Sequence, residues 1–211
     1  MTSDAIEKDE RLRVTEVYAS VQGESTHVGK PCVFVRLTGC NLRCTWCDSV
    51  FTFTGGVHRS IDDVVAEAHA FGIHTVEVTG GEPLVQRNAI PLMQKLVDLG
   101  HEVLLETSGS RDLADVPDGV HIICDFKPPG SGEERANLWS IVDQLRPKDE
   151  VKFVIASRED YEWSRDKMHE HALHEKVGAV LFSPVWGAID PERISEWMVE
   201  DRLRARLQIQ L

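Results

Sequence analysis

Short β-branched runs alternate along this chain with longer amphipathic stretches, and the alternation predicts an architecture. Residues 14–18 read as a first strand or edge ribbon. Residues 32–37 (CVFVRL) read as the next, with Val33 and Val35 alternating with Phe34 and Arg36. A loop rich in Cys, Thr and Gly runs from there to Gly56. Ser60 precedes Ile61 with Asp62 and Asp63 close behind, a helix start whose acids suit the positive end of the helix dipole. Val64, Val65, Ala68 and Phe71 then recur at helical spacing until Gly72. The same pattern predicts strands at 75–79, 101–106, 120–125, 150–155, 179–182 and 206–211, and helices at 88–99, 138–145, 158–174 and 191–204.

Strands joined by helix-length connections call for parallel pairing through right-handed crossovers. About six such units in 211 residues fall short of the roughly 250 residues of a full eight-unit barrel. The expected fold is therefore α/β, a partial and open (β/α)6-like TIM barrel forming one domain over residues 1–211, with 1–13 a flexible start. Functional loops in such folds lie beyond the C-terminal strand ends. That rule places 40–49, 79–83, 107–109, 125–132 and 183–187 on one shared rim.

Composition narrows the function classes. Apolar residues at 42% and charged residues at 27% set wholesale disorder aside. No apolar run approaches a membrane span, and the charged start lacks the apolar core of a secretory signal, so a cytoplasmic protein is expected. Subtracting 35 acidic from 23 basic side chains leaves −12, which disfavours nucleic acid and anionic membranes as partners. A small molecule or a protein fits better.

Five cysteines include three within eight residues, Cys40, Cys44 and Cys47. A disulfide framework spreads its cysteines, whereas iron–sulfur clusters are held by runs of this density. Three thiolates for four irons leave one iron open, as a catalytic metal site requires. A zinc knuckle is the rival, with Cys32, Cys124 or His58 as fourth ligand, although Cys32 and Cys124 sit in strand patterns where cysteine behaves as a small buried hydrophobe. His169, His171 and His174 do not share one helical face and are expected on a solvated surface, while the dispersed Trp139, Trp163, Trp186 and Trp197 suit a core or interface.

Cys40-x3-Cys44-x-Trp46-Cys47, followed by Gly80-Gly81-Glu82-Pro83, resembles the radical S-adenosylmethionine enzymes. Gly80 and Gly81 let backbone approach a ligand closely, and Pro83 stiffens the turn. The resemblance implies a [4Fe-4S] cluster whose open iron binds S-adenosylmethionine and donates the electron that cleaves it to a 5′-deoxyadenosyl radical. Further motifs narrow the likeness: Val21-Gln22-Gly23-Glu24, Phe34-Val35-Arg36-Leu37, Trp46-Cys47-Asp48-Ser49, Thr79, and Glu106-Thr107-Ser108-Gly109. Together they resemble the 7-carboxy-7-deazaguanine synthase family from about residue 14 to 211, more weakly beyond Lys127.

That resemblance implies conversion of 6-carboxy-5,6,7,8-tetrahydropterin to 7-carboxy-7-deazaguanine with loss of ammonia, on the route to queuosine-type deazapurines. Hydrogen is abstracted from C6, the ring contracts, and hydrogen returns to regenerate S-adenosylmethionine. It further implies magnesium (Mg2+), a homodimer, and an electron donor such as flavodoxin or ferredoxin. By the same likeness Arg36 meets the substrate carboxylate, unless it only pairs with Glu16. Gln22, Glu24 and the backbone of Val21 and Gly23 meet the pterin edge, with Thr79 and Glu106 as further contacts. Ser49 takes magnesium or caps the following turn, and Trp46, Cys47, Asp48, Gly81, Ser108 and Ser183 meet S-adenosylmethionine. Lys127 faces either the rim or solvent, and Trp186 is the tryptophan expected nearest the site. Ser25 stands where many family members have glycine, and a short pocket-closing tail is expected after the last strand; with the sequence ending at Leu211, either the native end lies beyond it or the pocket is finished differently. The alternatives are a glycyl-radical activating enzyme, which would need a large protein partner, and an iron–sulfur or zinc module without chemistry of its own.

Overall fold

The computed structural model describes residues 11–211. Residues 1–10 of the expected flexible start lie outside the described residues, and Arg11 to Arg13 prove to open the first strand. One sheet runs β3-β1-β2-β4-β5-β6-β7-β8-β9 and does not close. Its strands are β1 Arg11–Val21, β2 Pro31–Leu37, β3 Val57–Ser60, β4 Thr75–Gly80, β5 Glu102–Thr107, β6 His121–Phe126, β7 Glu150–Ile155, β8 Ala179–Pro184 and β9 Arg206–Leu207. From β2 through β4 to β9 all pairing is parallel, while β1 runs antiparallel to β2 and β3. This is the expected α/β partial barrel, six longer parallel strands with a ribbon on one edge.

Helices α1 Ile61–Ala70, α2 Ala89–Asp98, α3 Arg158–Glu170, α4 Leu173–Lys176 and α5 Pro191–Glu200 supply the crossovers β2 to β4, β4 to β5, β7 to β8 and β8 to β9, while β5 to β6 and β6 to β7 cross through turns and 3-10 segments. Ser60 caps α1 by accepting from the Asp63 N–H, as its sequence suggests, and Ser157 caps α3 through Asp160. One sheet face buries Val33, Val35, Val76, Val78, Phe153 and Phe182 together with Val64, Leu92, Leu96 and Tyr161 of the helices. Strand alternation turns Arg36, Glu77, Thr79, Glu106, Asp125, Lys152 and Ser183 to the opposite, inner face.

Several boundaries differ from expectation, each for a local reason. The segment expected as a helix at 138–145 is a 3-10 turn, Trp139–Gln144, where Ser140 and β-branched Ile141 and Val142 are weak helix formers. The helix expected over 158–174 breaks at Ala172, whose φ of 51° is left-handed, and continues as α4. Arg202, also at φ 51°, lies just past the end of α5. The last strand pairs only at Arg206–Leu207. β3 was hidden inside the loop and cap pattern. His171 stacks at 4.3 Å on Trp139 instead of lying free on the surface.

The segment after β1 folds back along the sheet's N-terminal end. The Gln22 and Lys30 backbones pair at 2.8 Å, Thr26 N–H donates to Glu150 at 3.1 Å, and Lys30 meets Glu102 at 3.0 Å. His27, His121 and Glu150 offer ligand atoms within 4.8 Å of one another. Glu150 already accepts from Thr26, His121 lies 3.0 Å from it, and the Lys30 ammonium stands 3.1 Å from His27 Nδ1. The group is thus a hydrogen-bonded anchor for this segment, and a cation there would meet the Lys30 charge.

Candidate active site

Four of the five expected rim loops are tied together directly. Glu82 N–H donates to Gly39 O at 2.9 Å, joining the glycine turn to the cysteine loop. A Cβ on Gly81 would come within 2.5 Å of Gly39 O and 2.6 Å of the Cys40 Cβ, so only glycine fits against the first cysteine. Gly80, at φ 146°, lies similarly against Leu37 backbone. Thr45 bonds Ser131 O at 2.9 Å and Gly130 O at 2.8 Å, fastening the cysteine loop to the segment after β6. Glu82 is buried and accepts from Leu84 N–H, the Thr107 hydroxyl, and the Ser108 N–H and hydroxyl. Its carboxylate is the knot between the glycine turn and the end of β5.

Cys40, Cys44 and Cys47 are free and half-buried, and Cys32 and Cys124 are buried within strands. Burial raises the Cys40 thiol and pushes Cys44 up to about 11, with the Lys127 charge opposing the shift at both. The three sulfurs do not gather within 4.8 Å of one another, as His27, His121 and Glu150 do. A single zinc at about 2.3 Å from each sulfur demands such closeness, whereas a cubane holds its ligands on separate irons. The donor set and spacing therefore fit a multi-iron cluster better than a zinc knuckle. Lys127 is turned inward and pairs with Asp125 at 3.0 Å, which answers rim against solvent in favour of the rim.

The inner face below this rim is a charged floor. Arg36 donates from Nε to Glu16 at 2.9 Å and from Nη2 to the Tyr18 hydroxyl at 2.8 Å, its guanidinium 5.8 Å from the Phe51 ring centroid. The Glu16 pairing is thus present, and Nη1 is the edge of the fork left for a ligand. Thr79 is its register neighbour on β4. Lys152, on β7, forms ion pairs with Glu24 and Glu106 and lies 3.5 Å from Asp125. Burial would raise Glu24, but the Lys152 charge overrides it and holds that carboxyl down at about 2. Burial raises the Glu77 carboxyl well above its ordinary value, assisted by Glu106 and Glu24, while the Lys152 charge and the Gln22 hydrogen bond oppose the rise.

Gln22 is buried with both amide ends engaged: Nε2 donates to Glu77, and Oε1 accepts from Glu24 N–H at 3.0 Å. It therefore supports Glu24 more directly than it reaches an open cavity. Ser25 adopts φ 62°, the reason glycine suits that position. Its strain is met by Ser25 N–H to Gln208 at 3.1 Å and His27 N–H to Ser25 Oγ at 3.1 Å. The chain's last residues join the site: Leu211 N–H reaches Gly23 O at 3.2 Å and Gln210 pairs with Glu24. Val21 pairs with Pro31 at the end of β1.

The remaining expected residues divide. Ser49 leaves the next turn without a side-chain cap and donates to Asp48 at 2.8 Å, with Trp46 half-buried nearby in sequence. The N–H and hydroxyl of Ser108 both serve Glu82. Ser183 Oγ and Asp125 Oδ1 are buried on the inner face with no partner, orphaned polar atoms that fit a bound polar ligand. Trp186 is 89% exposed and lines a groove with Ile209 and Gln210, the latter also bonded to Glu24 of the floor. Lys152, Glu77 and Glu82 were not singled out from sequence. Their signal was a charged residue at an inward position of an apolar strand, as in VKFVI and VEVTG, or inside the glycine turn.

Residues 34–125 match the family model of the radical SAM superfamily. The chain is 46% identical to a 7-carboxy-7-deazaguanine synthase of Koribacter versatilis, with 94% of each chain covered. It is 38% identical to the one of Chlorobaculum tepidum, covering 95% of this chain and 92% of that one. The crystal structure of QueE from Escherichia coli superposes with a TM-score of 0.78 over 99% of this chain and 98% of the other, at 22% identity.

Proposed function

The chain belongs to the 7-carboxy-7-deazaguanine synthase family of radical SAM enzymes, and from that premise we propose how its own residues serve the reaction. The reaction is ring contraction of 6-carboxy-5,6,7,8-tetrahydropterin to 7-carboxy-7-deazaguanine with release of ammonia. The observation that carries this reading is that a three-cysteine loop and a glycine turn on the C-terminal rim stand over a charged floor on the inner face of the same sheet.

Cys40, Cys44 and Cys47 would hold a [4Fe-4S] cluster, which with bound S-adenosylmethionine would supply the 5′-deoxyadenosyl radical. Gly81 keeps the turn low enough for that ligand to lie against backbone, and Ser183 Oγ and Asp125 Oδ1 offer it unused polar atoms. Trp46, Cys47, Asp48 and Ser108 stand around it, Ser108 acting through Glu82. Arg36 Nη1 receives the substrate carboxylate, while Tyr18 and Glu16 hold the fork in plane. Ionised Glu24, with Glu106 beside it, accepts from the N–H edge of the pterin; Thr79 and the backbone of Val21 and Gly23 complete that wall. Ser49 with Asp48 gives a hard oxygen site for magnesium.

A cytoplasmic setting, a homodimer and reduction by a flavodoxin or ferredoxin complete the proposal. Among the described residues no helix is long and apolar enough to cross a membrane. The test is anaerobic incubation of cluster-loaded protein with the carboxytetrahydropterin, S-adenosylmethionine, magnesium and a reductant. Formation of the deazapurine and about four irons per chain are expected. Lack of product with an intact cluster overturns the substrate, and one zinc without iron overturns the radical chemistry.

A further inference from the structure

We propose that Lys152 is the positioning residue of the substrate floor: its ammonium, set behind Glu24 and Glu106, holds both carboxylates in place as acceptors for the N–H edge of the pterin. This rests on the substrate assigned above and adds what makes its binding surface work.

The arrangement is directional. The Lys152 side chain is 4% exposed, while those of Glu24 and Glu106 are 21% and 26% exposed. The cation is therefore the deeper charge, and the two carboxylates keep the exposure that the cluster has. They come from positions 128 and 46 residues away in sequence, so no local motif brings them together. Glu24 is also fixed through its backbone, since its N–H donates to Gln22, whose amide is in turn held by Glu77.

The electrostatics require such a cation. Glu24 from the segment after β1, Glu77 from β4, Glu106 from β5 and Asp125 from β6 crowd one region, with Lys127 as a second cation engaged by Asp125. Buried carboxylates at this density cannot all ionise without a countercharge. Burial raises Glu106, with Lys152 working against the rise, while Lys152 keeps Glu24 ionised. A 2-amino-4-oxopteridine presents an amino group and a ring N–H side by side, both donors, and a carboxylate is the acceptor-only group that matches them. A protonated carboxyl would turn a donor toward them. Equally, a lysine this deep is stable only because three acids surround it.

The test compares cluster-loaded wild-type protein with Lys152→Met and Lys152→Arg, reading KM and kcat for the carboxytetrahydropterin from about pH 5 to about pH 9, along with substrate-free cleavage of S-adenosylmethionine by reductant. For Lys152→Met we expect KM to rise about tenfold or more at neutral pH and to fall again as pH rises and the acids regain charge. The change in kcat should stay within about threefold, and substrate-free cleavage should match wild type. Lys152→Arg keeps the charge and should restore the wild-type pH profile. A folded Lys152→Met with unshifted KM and profile overturns the proposal. So does loss of kcat at unchanged KM, or Arg behaving as Met. If Lys152→Met does not fold, Lys152→Met with Glu106→Gln removes one acid with the cation, and the same outcomes apply through Glu24. Failure of wild type to turn over this substrate while still cleaving S-adenosylmethionine would instead overturn the substrate assignment.

Discussion

The rim and the floor of this site are built by different physics. At the rim, the cysteine loop meets the glycine turn and the segment after β6 through backbone, with Glu82 N–H on Gly39 O, Thr45 N–H on Ser131 O and Gly81 with no space for a Cβ, and the end of β5 is tied in by the buried Glu82 carboxylate. At the floor, side chains distant in sequence meet through charge, with Lys152 gathering Glu24, Glu106 and Asp125. A rim fixed by close backbone approach tolerates no change of shape. A floor fixed by countercharge tolerates shape but no change of proton count. The two regions should therefore fail differently when altered.

The largest expected effect is at the rim's metal ligands. Cys44→Ala removes one of three thiolates, and three are the fewest that leave a single open iron. Iron content and absorbance should collapse and turnover should vanish. The circular dichroism of the sheet and helices should persist, since Cys44 lies outside the apolar core. Retention of iron together with S-adenosylmethionine cleavage in Cys44→Ala would show the ligand assignment to be wrong.

Gly81→Ala asks whether the rim is indeed rigid. The added Cβ would lie 2.5 Å from Gly39 O and 2.6 Å from Cys40 Cβ, with backbone on one side and a cluster ligand on the other. Overpacking of this kind costs about 1–3 kcal/mol. Because the atom displaced belongs to Cys40, thermal denaturation and cluster loading should fall together. A variant with full loading and unchanged melting would mean that the turn can yield, and the contrast with the floor would weaken.

The same contrast explains what was legible in the sequence. The rim was legible because its chemistry is contiguous: Cys40 to Cys47 and Gly80 to Pro83 are short runs whose spacing carries meaning by itself. The parallel sheet was legible from alternation, and Ser60 from its cap pattern. The floor was only half legible. Arg36, Glu24 and Glu106 stood out through resemblance, but the residue that organises two of them, Lys152, looked like one lysine in an apolar strand. Its partners become visible only when β5, β6 and β7 are laid in register, as Asp125 beside Lys152 shows. Helix ends failed where tertiary packing set them: Ala172 turns left-handed next to buried Leu173, a choice no propensity predicts.

The smallest effect we expect separates two acids of the floor by the sign of their response to pH. Glu24 titrates at about 2 in the folded protein against an ordinary value of 4.5, the Lys152 charge outweighing burial. A depressed carboxyl contributes stability that is present above its unfolded value and lost as pH falls from 4.5 toward about 2. Glu77 is displaced the other way, chiefly by burial. The unfolded chain releases that proton above 4.5 while the folded chain retains it, so Glu77 lowers stability as pH rises. Glu24→Gln should therefore cost about 1–2 kcal/mol at neutral pH and progressively less in acid, whereas Glu77→Gln should be neutral or stabilising at neutral pH. Gln at position 77 still accepts from the Gln22 amide, so the bond between them survives the change. Urea denaturation of the two variants from about pH 2.5 to about pH 8 measures both slopes, Glu24 in the acid limb and Glu77 above it. Parallel slopes for Glu24→Gln and Glu77→Gln would mean that Lys152 does not discriminate between its neighbours, and that the floor, like the rim, is held by shape.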